Sequence, residues 1–187
     1  MKNVVLTILE AKYDNVRALG NGLYLVYSAD RFGWWGIYSC KSKSIVCSGD
    51  KHEVLSSDLI AFERLITWTG GGSRIKEFLF SLQKKREVRF GEYRGSTFEL
   101  CGKDWIKALF LKTVEKENGF DVVGGLGVFD TLREKFIIQP KYEELISLGD
   151  NQYYGTKEDR RTGQRTYFLI SIDEEGKVTT RKTSKIV

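Results

Sequence analysis

Few side chains in this sequence can do acid-base, nucleophilic or metal chemistry. His52 is the only histidine, so no Ser-His-Asp or Cys-His relay is assembled by design, and the usual His-bearing zinc or iron sites lack their ligands. Cys40, Cys47 and Cys101 are odd in number and contain no CxxC pair; they fit neither a disulfide framework nor a zinc site and predict reduced, buried thiols. The carboxylate pairs Glu143-Glu144 and Glu174-Glu175 sit in stretches of turn character, where solvated charge is expected. Gly70-Gly71-Gly72-Ser73 lacks the Gly-Lys-Ser/Thr ending of a phosphate-cradling loop and reads as a hairpin tip. No catalytic, cofactor-binding or metal-binding residue is expected, and the chain reads as a non-enzyme.

Residues suited to binding are better represented. Trp34 points away from Trp35 by the period-two rule of a strand, and with Phe32 and Tyr38 it makes a candidate aromatic surface for a partner; burial under the next layer is the alternative. Basic residues gather at Lys84-Lys85-Arg86 with Arg89, at Arg160-Arg161 with Arg165, and at Arg181-Lys182 with Lys185. If repeated units stack in register, Lys84, Lys85 and Arg86 share a rim with Arg160, Arg161 and Arg165, a surface for an acidic protein or a phosphate backbone. Glu87, Glu92, Glu158 and Asp159 weaken the nucleic-acid reading, because counterion release rewards uncompensated positive charge.

The rest of the sequence must position these groups. Its 187 residues carry 30 Lys and Arg against 25 Asp and Glu, 41% hydrophobic residues and one proline, which predicts a globular chain with a real core and a modest basic excess. The apolar run Val4 to Leu9 is too short for a signal-peptide core, and charges interrupt every hydrophobic segment. A cytoplasmic chain with no membrane span is expected.

Alternation and β-branched or aromatic enrichment predict strands over Val4 to Leu9, Gly22 to Ser28, Trp34 to Ser39, Ile75 to Leu82, Ala108 to Val114, Val122 to Asp130 and Thr166 to Asp173. Asn21-Gly22, Lys41 to Lys43 and Glu174 to Lys177 supply hairpin turns. Ser57 to Trp68 is ambiguous: Leu59, Ile60, Phe62, Leu65 and Ile66 suit a short helix after a capping Ser or Asp, whereas the repeat makes part of the stretch a strand.

The repeat has a period of about 40 residues. Tyr13-Asp14-Asn15-Val16, His52-Glu53-Val54-Leu55 and Tyr142-Glu143-Glu144-Leu145 each read ring, acid, any residue, aliphatic, with a fourth ring at Tyr93. Leu126-Gly127-Val128-Phe129-Asp130 aligns with Trp35-Gly36-Ile37-Tyr38-Ser39. The units run over about 13–51, 52–92, 93–141 and 142–187 as one repeat domain, with 1–12 as a first edge strand. His52 fills a slot that holds Tyr in other units.

These motifs resemble those of the WG-repeat proteins. Tyr13-Asp14-Asn15-Val16, Gly20 to Val26 and Trp35-Gly36-Ile37 stand at that family's spacing, and Phe136 to Tyr142 repeats its unit end. One Trp-Gly dipeptide remains, and Pro140 is the only proline. The resemblance implies a mainly β array of stacked, twisted antiparallel hairpins without catalytic residues of its own. A propeller-like closure competes with it, although the Gly-His and Trp-Asp marks of such blades are absent. Small WG-repeat-like chains resemble bacterial immunity proteins, which implies a protein-binding module that neutralises a cognate toxin by covering its active site. A polyanion binder and a structural repeat in a larger assembly are the alternatives.

Overall fold

The computed structural model describes residues 2–30 and 33–185. The chain is mainly β and forms four antiparallel four-stranded meanders, each with its strands side by side in chain order. The first sheet holds β1 (Asn15–Gly20), β2 (Leu23–Ser28), β3 (Trp34–Ser39) and β4 (Ser44–Gly49); the second holds β5 (Lys51–Val54), β6 (Leu59–Thr67), β7 (Ser73–Ser81) and β8 (Arg86–Glu87). The third contains β9 (Arg94–Leu100), β10 (Trp105–Lys116), β11 (Gly119–Asp130) and β12 (Lys135–Tyr142); the fourth contains β13 (Glu144–Gly149), β14 (Gln152–Glu158), β15 (Arg165–Ile172) and β16 (Val178–Thr183). One helix, α1 (Lys2–Glu10), precedes them. The chain divides into two compact units, Met1–Val88 and Arg89–Val187, with two sheets in each.

The four sheets are built to one pattern. In each, an amide at the end of the third strand or just beyond it donates to the carbonyl preceding the second: Cys40 to Gly22 at 2.9 Å, Leu82 to Asp58 at 2.7 Å, Thr131 to Asp104 at 2.8 Å and Ile172 to Asn151 at 3.0 Å. The first residue of the second strand then faces the same slot of the third, giving the pairs Leu23–Ser39, Leu59–Ser81, Trp105–Asp130 and Gln152–Ser171. In three sheets that slot closes the next turn, because Ser39, Ser81 and Asp130 accept the amides of Ser42, Lys84 and Arg133. The residue after each of those donors, Lys43, Lys85 or Glu134, has a positive φ near 50°. The first turn is also repeated: Gly20-Asn21-Gly22 and Gly149-Asp150-Asn151 each place three consecutive residues at positive φ.

This register equates Trp35-Gly36 with Leu126-Gly127, as the sequence alignment predicts. The two glycines have a common cause. Close to each, the fourth strand bulges: between the Ile37 and Tyr38 pairings, just beyond the Gly36–Ser48 pair, in the first sheet, and on either side of the Val128 pairing in the third. A Cβ at Gly36 would lie 3.2 Å from the Cys47 carbonyl oxygen, and one at Gly127 would lie 2.7 Å from that of Ile138.

Each unit buries a core between its two sheets. In the first, Leu23, Leu25, Ile37 and Cys47 meet Ile60, Phe62, Phe78 and Phe80; in the second, Val128 and Ile138 meet Leu145, Tyr153, Ile170 and Ile172.

Three expectations need correction. The strand expected over Val4 to Leu9, with 1–12 as an edge strand, is instead α1: Val5, Leu6 and Leu9 recur at helical spacing and cover Tyr24 and Val26 on the outer face of the first sheet. The helix entertained near 57–68 is β6. Its Leu59, Ile60 and Phe62 are all buried because this central strand is covered on both faces, and its apolar run therefore lacks alternation. The second unit also begins elsewhere. The carboxylate of Asp14 accepts the Ala29 amide and that of Asp50 accepts the Leu65 amide, each across fifteen residues, and Asn15–Tyr27 matches Lys51–Glu63. Asp50 is thus the repeat acid, and His52 occupies the aliphatic slot of Val16, where a ring slot was expected.

Candidate protein-binding surface

The bond that closes the base of the second hairpin recurs in all four sheets, while the length of that hairpin varies. Its strands have 6 and 6 residues in β2–β3, 9 and 9 in β6–β7, 12 and 12 in β10–β11, and 7 and 8 in β14–β15. A constant scaffold carrying hairpins of different length and tip chemistry is suited to presenting a surface.

The β6–β7 hairpin outgrows its neighbours. β5 pairs with β6 only as far as Glu63, and β8 pairs with β7 only at Phe80 and Ser81. Beyond them two strands continue to the Gly70-Gly71-Gly72 tip, which is a hairpin tip as the sequence predicts. One face of this arm is a ladder of cations and rings: Arg64 and Lys76 lie 5.0 Å and 5.1 Å from the Phe78 ring, and Arg74 lies 5.4 Å from that of Trp68. Its other face exposes the cross-strand pair Leu65–Ile75.

The β10–β11 hairpin also extends beyond its sheet, since β9 reaches only Leu111 and β12 only Leu126. Phe120, at 76% exposure, and Val122 lie along one face of this arm. The Lys116 ammonium, 2.8 Å from the carboxylate of Asp121, holds that carboxyl below its usual range, and Arg160 of the β14–β15 loop adds to the effect.

The residues singled out in the sequence fall in separate places. Phe32 lies outside the described residues. Trp34 and Tyr38 are half-buried against the cluster of Leu9, Tyr13, Tyr24 and Val26, with Tyr13 meeting Trp34 edge-on at 6.0 Å. Lys84 and Lys85 lie in the turn between third and fourth strands and Arg86 opens β8; the Lys85 ammonium donates to the Asn21 carbonyl at 3.3 Å and the Arg86 guanidinium to that of Glu87. Arg160 and Arg161 belong instead to a loop between second and third strands, and Arg165 pairs with Glu158 at 2.8 Å. The two basic clusters therefore lie at opposite ends of the strands within their own sheets.

Sequence reasoning passed over Trp68, Arg74 and Phe120. A bulky side chain beside a glycine-rich tip was the available signal, in Trp68-Thr69-Gly70 and in Asn118-Gly119-Phe120.

Of the chemically capable groups, Cys47 is buried and His52, Cys40 and Cys101 are half-buried. His52 lies between Trp35, at 4.2 Å, and Phe62, at 6.3 Å, and burial followed by the charge of Arg17 lowers its pKa from the usual 6.5. Burial pushes the Cys47 thiol up to about 12 and raises that of Cys101. Among the described residues, no group of three or more His, Cys, Asp or Glu is placed to hold a metal ion. No helix among them is long and apolar enough to cross a membrane. No family model, curated protein or solved structure matches the chain.

Proposed function

We propose that this chain is a non-catalytic protein-binding module of the WG-repeat kind, and specifically an immunity protein that neutralises a cognate bacterial toxin by occluding its active site. One observation carries this reading: a frame repeated in four sheets bears second hairpins whose length and tip chemistry differ from sheet to sheet. That arrangement suits recognition of one partner, because the frame fixes position while the hairpins set specificity. The burial of Cys47 in the first core and the packing of half-buried His52 on the Trp35 ring support a role without bond-making chemistry.

A polyanion binder is the weaker reading. Lys51, Lys76, Lys107, Lys112, Lys116, Arg133 and Arg165 each have a carboxylate partner, which reduces the free positive charge available to a phosphate backbone.

Co-expression with the product of the adjoining gene tests the proposal. The expected result is protection of the host and a complex that survives high salt. Neither protection nor complex would overturn it, and retardation of tRNA or duplex DNA lost at high salt would favour the polyanion reading.

A further inference from the structure

We propose that Lys141 and Lys157 hold one acidic side chain of a partner protein between their ammonium groups; this rests on the partner-binding reading above and gives it an anchor. Both ammonium groups lie over a single ring, that of Tyr142, Lys141 at 5.7 Å and Lys157 at 5.1 Å from its centroid. Lys157 is also 5.2 Å from the centroid of Phe168. The support is fixed in place. Tyr142 is 2% exposed, meets Phe168 edge-on at 5.9 Å, and rests on Gly155, where a Cβ would come within 2.7 Å of its ring.

Two like charges on one support repel each other. Burial, followed by the charge of Lys141, accordingly lowers the Lys157 pKa from the usual 10.5. No acid of the fold relieves this. The face of the fourth sheet that carries Lys157 holds no Asp or Glu from β13 to β16, and it adds a third cation, Lys182, opposite Phe168. Glu144 and Glu158 lie on the other face, where they meet the Thr156 hydroxyl at 3.2 Å and Arg165 at 2.8 Å. Glu143 forms no ion pair with either lysine among the described residues. Lys141 is exposed and Lys157 half-buried, so the pair is open to solvent. A carboxylate seated between them accepts two charge-assisted hydrogen bonds and offsets the repulsion. A phosphate backbone suits the place less, because it rewards a track of cations, and the sequence on either side brings Glu143, Glu144 and Glu158.

The probe is the end-capped heptapeptide Gly-Ser-Asp-Glu-Asp-Ser-Gly, titrated into the full chain labelled with 13C-lysine. Saturable shifts at the ε-carbons of Lys141 and Lys157 are expected, with a rise in the Lys157 pKa on binding. Lys141→Met and Lys157→Met should each weaken binding by about threefold or more, the scale of a partly exposed ion pair, and Lys103→Met should leave it unchanged. Without any peptide, Lys141→Met should raise the Lys157 pKa, because the repelling charge is gone. Thermal melts identify a folded variant, and Lys157→Gln serves if Lys157→Met is not folded. An unmoved Lys157 pKa in Lys141→Met, equal binding of the Asn-Gln-Asn peptide, or tighter binding of inorganic phosphate or an oligothymidylate at these two lysines would each overturn the proposal. Failure here leaves co-expression protection untouched, so loss of this anchor is distinguishable from loss of the immunity reading.

Discussion

The imidazole of His52 lies 4.2 Å from the Trp35 ring, tilted by 45°, so a side chain of the second sheet lies against the Trp-Gly strand of the first. Burial, then Arg17, disfavours the charged imidazolium, and the folded-state pKa is below the usual 6.5. The unfolded chain therefore binds the proton more readily than the folded one. The stabilisation is intact above the unfolded value and is lost as pH falls through the lowered folded value. Urea midpoints measured from pH 8 to pH 5 should fall more steeply for the native chain than for His52→Phe. Parallel profiles would show that His52 contributes nothing to acid sensitivity.

The repeated strand-three glycines predict a graded series. At Gly127 an added methyl meets backbone, the Ile138 oxygen at 2.7 Å and Pro140 at 3.1 Å, which cannot move without shifting the bulge. At Gly36 the nearest atom is the edge of the Trp34 ring at 2.6 Å, a side chain with some freedom to rotate. Gly127→Ala should cost about 1–3 kcal/mol, and Gly36→Ala less. Gly70→Ala, with nothing within 4 Å, should fall within about 0.5 kcal/mol of native. Chemical denaturation of the three variants checks the order, and a silent Gly127→Ala would refute the account of the bulge.

What the sequence made legible follows from how each strand is covered. β2, β3 and β15 are bounded by clear turn residues and appear almost residue for residue where alternation and aromatic content place them. β6 misleads because Leu59, Ile60 and Phe62 are buried on both faces, and an unbroken apolar run carries no period. α1 misleads in the opposite way: Val4, Val5 and Ile8 favour strand locally, and packing of Leu9 against the first sheet prevails. The repeat is legible in the sequence, but the ring-acid pattern of its second unit lies three residues beyond the structural equivalent, because Gly49 replaces the ring and Ser56-Ser57-Asp58 replaces the glycine-rich turn. The projecting arms were not legible at all. How far a hairpin outgrows its neighbours depends on where β5 and β8 end, which no residue of β6 or β7 encodes.

The cysteines predict a reactivity pattern. Burial raises the thiol pKa of both Cys47 and Cys101, to about 12 for the former, where the carboxylate of Glu87 adds to it. The thiolate is the reactive species, so at pH 8 neither should react quickly with an aromatic disulfide in the folded chain. Both should react at once in 6 M guanidinium. Rapid labelling of all three thiols under native conditions would contradict the burial of Cys47 in the first core.

The placement of α1 makes the last prediction. Tyr24 and Val26 of the first sheet correspond, through the Leu23–Ser39 and Leu59–Ser81 pairs, to Ile60 and Phe62 of the second. Ile60 and Phe62 rest on the preceding sheet. Tyr24 and Val26 have α1 in that position, so the helix caps the face a preceding sheet would cover. Leu9 is 2% exposed at the centre of that contact, whereas Ile8 is 62% exposed. Leu9→Ala should cost about 2–5 kcal/mol by leaving a cavity over Tyr24. Ile8→Ala should change stability by no more than about 0.5 kcal/mol. Removing residues 2–10 goes further, because it bares a flat apolar sheet face of the kind that a second sheet covers elsewhere in the unit. Sedimentation velocity should then show association that the full chain lacks at the same concentration. Equal urea midpoints for Leu9→Ala and Ile8→Ala would mean that α1 does not act as the cap.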